Sequence, residues 1–297
     1  MISAIRVRPE RWVAICIIVF PAFGLSAQTA NENALFWKVS GKDLNESSYL
    51  FGTFHLMGSE YIDSLTVVMD AFRESKTLVG ELVLDESLSM RIMQVAIMKD
   101  TTLRDLLSDE VYDRTASWLK ELTGMELTML DKFNPAMVQM LITAMIQQKI
   151  NNKTVIPMDL YFQNLAKGEK KIEGLESFDD QIDVLFNKTS YHTQARHLEE
   201  FVNERDSSEQ MVLKMNQMYR DQNLEGLMKM FFESSYSTAE RDALLDARNK
   251  KWLEQLPGLF AEQSTFVAVG ALHLPGENGL VALLRREGYI VEPLNMK

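Results

Sequence analysis

Two histidines and a glutamate are the residues through which this sequence could do chemistry. His55 closes the stretch Tyr49-Leu50-Phe51-Gly52-Thr53-Phe54-His55, and His273 closes Thr265-Phe266-Val267-Ala268-Val269-Gly270-Ala271-Leu272-His273. The chain has four histidines, and these two share a Gly-x-x-His frame that follows an apolar run. The frame reads as a strand whose glycine turns the backbone tightly and aims the imidazole into the space beyond the strand end. Glu81 interrupts a third apolar run, Thr77 to Leu84, where an unpaired carboxylate would be costly. Its strand is expected to neighbour the one carrying His55. Two imidazoles and a carboxylate could hold a divalent ion with open positions for water, which would ionise near neutrality and attack a carbonyl. Without a metal, His55 and Glu81 could serve as acid and base.

Further candidates surround that trio. Glu176 ends the short run Lys170-Lys171-Ile172-Glu173-Gly174-Leu175-Glu176, where a carboxylate also suits the N-terminus of the helix that follows. Arg248 shares a helix face with Trp252 and could hold a substrate carboxylate or a developing oxyanion. His192 and His197 are five apart, miss the spacing of a helical metal pair, and read as surface residues. HExxH, GxSxG, GxGxxG and P-loop signatures are all missing from the sequence.

The elements that must position these groups form an α/β pattern. Strands are expected at 34–40, 48–54, 77–84, 170–176, 264–269 and 289–294, with a crossover helix at 61–73 and a closing helix at 277–287. The unit at the C-terminus should repeat the opening strand–GxxH–helix architecture. Together they imply a central mixed, partly parallel sheet with a large helical insertion over roughly 87–255. Within it, Ser108 can cap a helix over 109–123, and Asn134-Pro135 opens another over 135–150. Capping-box spacing recurs at 177–180 and 237–240, the latter starting a long helix over 238–256. Polar loops are expected at 147–154 and 234–238. Most of the 18 methionines lie in the helical stretches 90–145 and 211–230, where helical spacing suggests core.

Composition sets the outer bounds. Arg6, Arg8 and Arg11 precede a short apolar run and the small residues Ser26-Ala27, so residues 1–27 read as a secretory signal cleaved after Ala27, rather than an uncleaved anchor. Residues 28–297 would then form one domain, starting with a few disordered residues, in the periplasm or outside the cell. The single cysteine, Cys16, lies inside that signal, so the mature chain has no disulfide and no thiol chemistry. Losing three arginines and Glu10 takes the net charge from −11 to −13, which argues against nucleic acid or an anionic membrane surface as partner. No stable membrane span remains after cleavage.

The motifs, in this order, resemble those of the TraB/GumN family, with Tiki metalloproteases, erythromycin esterases and ChaN-like haem-binding proteins as more distant relatives. The likeness is carried by Tyr49 to His55, Leu78-Val79-Gly80-Glu81-Leu82, Ile172 to Ser177 with Gln181, Leu244 to Trp252, and Phe266 to Gly276 running on to Gly288-Tyr289. It implies His55, Glu81 and His273 as metal ligands and catalytic groups, with Arg248 also catalytic and Asn249 and Glu176 contacting substrate. It implies Mn²⁺ or Co²⁺, with Zn²⁺ a further candidate, in a peptidase acting on a peptide or protein substrate. One departure is Val83, where relatives often carry a second acid. The other reading is a binding protein for a peptide, haem or other tetrapyrrole.

Overall fold

A computed structural model describes residues 33–297, apart from 56, 86, 152–155 and 235. The expected signal at 1–27 with Cys16, residues 28–32 of the disordered start expected over 28–34, and part of the polar stretch 147–154 lie outside the described residues, while Ala34 is described and buried.

Six strands make one mixed sheet: β1 (Phe36–Ser40), β2 (Ser48–Thr53), β3 (Thr77–Gly80), β4 (Lys171–Gly174), β5 (Thr265–Gly270) and β6 (Ile290–Pro293). Their order is β4-β3-β5-β2-β1-β6. Neighbours β4, β3, β5 and β2 run parallel, while β1 is antiparallel to both β2 and β6. The four parallel strands therefore end at the same edge. The α/β expectation holds, and the two GxxH strands lie side by side, with Thr53 opposite Gly270.

One expectation about neighbours does not hold. The Glu81 strand lies beside β5, not beside the His55 strand, because the crossover from β2 leaves a place that β5 later fills. The closing unit does repeat the opening strand–GxxH–helix order, as β5, the turn Ala271–His273 and the helix Leu280–Arg286, and β6 then returns to the far edge beside β1.

Alternating strand residues feed two cores, as a sheet buried on both faces requires. Phe36, Phe51, Leu78 and Phe266 pack on one face against Phe72 and Phe162 from the helices Thr66–Glu74 and Met158–Ala166. Trp37, Leu50, Val79 and Val267 pack on the other against Trp252, Leu256 and Leu284. A separate helical core joins the helices Asp109–Thr123, Pro135–Asn151 and Tyr191–Asn203 through Trp118, Ile142 and Leu198.

The capping signals are legible in the result. Ser108 accepts from Val111 N–H, Asn134 from Met137 N–H, and Ser177 and Ser237 form full capping boxes. The crossover is broken into Ser59–Asp63 and Thr66–Glu74, and the long helix expected over 238–256 carries a π-turn at Asp242–Asp246 before ending at Leu253. The methionines are not uniformly core, for Met90, Met93, Met129 and Met211 are exposed. His197 departs from its surface reading: it is buried, edge-on to Tyr236.

Candidate functional site

Five segments bring charged side chains to the common end of the parallel strands. The turn after β2 supplies His55, the first residue past β3 is Glu81, and Glu176 follows β4. The 3-10 turn Ala271–His273 follows β5, and the helix Ala247–Leu253 contributes Arg248 and Asn249. Open α/β sheets place their ligands beyond this edge.

Both GxxH glycines serve close approach rather than a tight turn, since neither is among the residues with positive φ. A Cβ on Gly52 would lie 2.9 Å from the Ala271 Cα, so the two GxxH turns nest only because that atom is missing. A Cβ on Gly270 would lie 3.1 Å from Glu81 Oε1, the atom that accepts the Gly270 N–H at 2.7 Å.

Glu81 lies one residue beyond β3, not inside a strand as its apolar flanks suggest. Strand-like pairing continues past the ends of β3 and β4, with Leu175 N–H donating to Gly80 O and Glu176 N–H to Glu81 O. Gln163 clamps the next residues, donating to Leu82 O and accepting from Leu84 N–H. The two glutamates are thereby fixed side by side.

Arg248 joins them. Its Nε and Nη2 grip Glu176 in a fork at 3.0 and 2.6 Å, and Nη2 also donates to Glu81 Oε2 at 2.5 Å. Nη1 donates to Leu244 O in the π-turn at 3.2 Å and to His273 Nε2 at 3.1 Å. π-turns often mark functional positions, and this one places a carbonyl under the guanidinium. All five guanidinium N–H groups are thus engaged within the protein. Arg248 also lies over Trp252, with Cζ 4.7 Å from the ring centroid. It has no donor left for a substrate carboxylate or oxyanion, and holds the cluster together instead.

Asn249 likewise positions rather than touches substrate. It is buried, accepts from His273 Nδ1 at 2.7 Å, and donates to His273 O and Asn278 O. That fixes His273 as the Nδ1–H tautomer, its Nε2 lone pair facing Arg248. Burial pushes the His273 pKa down to about 3, with Arg248 adding to the effect, so the ring is neutral at ordinary pH. Burial would raise the Glu81 carboxyl, but His273, Arg248, His55 and the Gly270 N–H more than offset it and hold the pKa at about 2. Of these, Arg248 matters most, being charged at every pH where His273 is neutral. A carboxylate so stabilised is a weak base.

His55 differs in kind. Its Nδ1 meets Asp159 Oδ2 at 2.5 Å, and Thr53 donates to Asp159 Oδ1 at 2.8 Å. Nε2 has no partner among the described residues. The Asp159 carboxylate raises the imidazole pKa to about 9, with help from Glu81. The side chain is 63% exposed and lines a cavity of about 540 Å³ that also reaches Glu81, Arg248 and His273. Asp159 is the residue of this cluster that the sequence does not announce. Its only sequence mark is an acid in the first turn of a helix after Pro157, which equally suits the helix dipole.

The expected metal trio therefore shares a cavity without forming a ligand set. His273 Nε2 and Glu81 Oε1 are 3.8 Å apart, but the Arg248 guanidinium contacts both side chains. Among the described residues no three His, Cys, Asp or Glu side chains are grouped to hold one ion. In this arrangement the residues do not fit a divalent metal, because an arginine supplies the cation. Glu176 contacts Arg248 and Gln181. Among the described residues no helix is long and apolar enough to cross a membrane.

The same assembly, paired GxxH turns with a glutamate and a helical arginine between them, bears on kinship. No curated protein and no solved structure matches the chain. The model of one family matches residues 35–293, a span that holds all six strands and every site residue named above, and the chain belongs to the TraB/PrgY/gumN family.

Proposed function

We propose that the protein is a hydrolase that cleaves an acyl bond, in an ester or amide, by acid–base chemistry at His55. The observation that carries this is the His55–Asp159 pair: one ring nitrogen is held by a carboxylate, and the other has no partner among the described residues on a ring that lines the cavity. In its neutral form His55 Nε2 takes a proton from water as the water oxygen bonds to the carbonyl carbon. The proton then passes to the leaving oxygen or nitrogen as that bond breaks, giving an acid and an alcohol or amine. Asp159 fixes the tautomer and stabilises the imidazolium between the two steps. Arg248, Glu81 and His273 form the rigid polar wall beside it. Because the ring must be neutral to act as base, the rate should climb with pH until about 9. His55→Ala and Asp159→Asn are the tests, read against ester and peptide substrates. A folded His55→Ala protein with wild-type activity would remove this reading.

The 3.8 Å separation of His273 Nε2 from Glu81 Oε1 supports a second reading, the metal-dependent peptidase using Mn²⁺ or Co²⁺. It would require Arg248 to withdraw. Activity that survives EDTA favours the first reading, and activity restored only by added metal favours the second. Export to the periplasm or beyond belongs to the proposal too, on the strength of the charge and apolar pattern of residues 1–27.

A further inference from the structure

The cavity has a division of labour between its walls and its polar end. Ile92, Phe178, Leu185, Phe186, Leu227 and Phe231 come from four helical segments and present apolar surface. Most of the polar side chains that line it are already occupied, the exceptions being Tyr236 and Gln181, which gives one N–H to Glu176. Gln163 spends its amide on Leu82 and Leu84, Thr53 donates to Asp159, and Arg248 uses every N–H. Both nitrogens of His273 are engaged. Of the lining imidazole and charged groups, His55 Nε2 alone has no partner among the described residues.

That count discriminates between ligands. A peptide strand drawn inside would bring an N–H and a C=O with every residue, and each one left unpaired in an apolar cavity is costly. A hydrocarbon chain brings none. The charges at the polar end speak against a free carboxylate, since Asp159, Glu81 and Glu176 outnumber His55 and Arg248. With no surplus positive charge at the polar end, an uncharged carbonyl carbon suits the place beside the His55 base better than a carboxylate does.

We propose that the cavity takes the long acyl chain of a neutral fatty-acyl ester or amide, with its carbonyl at His55 and its alcohol or amine portion toward the opening. This builds on the hydrolase reading above and names its substrate class. The rim residues Met140 and Leu160 line the cavity and are also partly exposed, which gives an apolar chain a graded entry. The step is hydrolysis: water adds its hydroxyl to the acyl carbon, and its proton goes to the leaving alkoxide or amide through His55.

The test is a chain-length series of p-nitrophenyl esters, acetyl, octanoyl and palmitoyl, with the whole mature protein. Each buried methylene strengthens binding about fourfold at most, so KM should fall at least tenfold from acetyl to octanoyl. Ile92→Arg should raise the octanoyl KM at least tenfold and flatten the series. The wild-type series stands by itself if that variant does not fold. His55-dependent hydrolysis with a KM indifferent to chain length would overturn the acyl proposal and leave the hydrolase reading intact. Tight binding of N-octanoyl anilide with no ester cleaved would do the reverse, supporting the acyl cavity and removing the hydrolase. Preference for unacylated peptides over every acyl ester would also overturn it.

Discussion

Arg248→Met puts the greatest strain on the site as described. The arginine is 12% exposed and balances Glu81 and Glu176, whose side chains are 10% and 2% exposed. Met keeps much of the volume and the contact with Trp252 but strands two carboxylates. Removing one partner of a buried ion pair costs about 3–5 kcal/mol, because the remaining charge is left desolvated. For a domain of this size each kcal/mol corresponds to about 2–4 °C, so the melting temperature should fall by about 6–20 °C. The control is internal. Adding Glu81→Gln and Glu176→Gln to the Met variant removes the stranded charges and should restore at least half of the loss. Arg248→Lys, which keeps the charge but loses the fork, should fall between. Urea unfolding of the variants at neutral pH is the assay. A loss under about 1 kcal/mol for Arg248→Met, or no rescue by the two glutamines, would refute the placement of Arg248 as the cation of a buried cluster.

Three further outcomes follow from the same geometry. Gly52→Ala should cost about 1–3 kcal/mol in urea unfolding, because its Cβ would press to 2.9 Å on the Ala271 backbone; a change within experimental error would contradict the nesting of the two turns. Acid should destabilise the fold through two groups of the same sign. His273 is held near 3 against about 6.5 when unfolded, and Glu81 near 2 against about 4.5. Both folded values are depressed, so the unfolded chain binds more protons and stability falls as pH drops from about 6.5 through 2. His273→Gln should flatten the upper part of that slope in unfolding midpoints measured at descending pH. Asp159→Asn removes the charge that raises His55, so its pH–rate midpoint should move from about 9 toward the ordinary histidine value, with a rate loss of about 10²–10⁴-fold; an unshifted profile would contradict the dyad.

The strands of the sheet were legible in the sequence because fully buried parallel strands write themselves as apolar runs ended by glycine. The strand order was not. Whether β3 lies beside β2 or one place away depends on β5, which arrives some two hundred residues later. His55, Glu81, His273, Arg248, Asn249 and Glu176 do come to one edge, yet several roles changed on arrival. Residue type suggests that Arg248 binds a substrate anion and Asn249 touches substrate. Only the full set of hydrogen bonds shows that the first has no free N–H and that the second orients His273. Asp159 was invisible for a related reason: its partner is 104 positions away, and a first-turn aspartate is ordinary at a helix start.

The central claim is that Arg248 supplies the cation between Glu81, Glu176 and His273, leaving His55 with Asp159 as the reactive pair. Anomalous diffraction from crystals equilibrated with Mn²⁺ tests it most directly. The account predicts an undisplaced guanidinium and no anomalous peak within bonding distance of His273 Nε2 or Glu81. A strong peak bonded to His55, Glu81 and His273 together, with Arg248 swung aside, would contradict it.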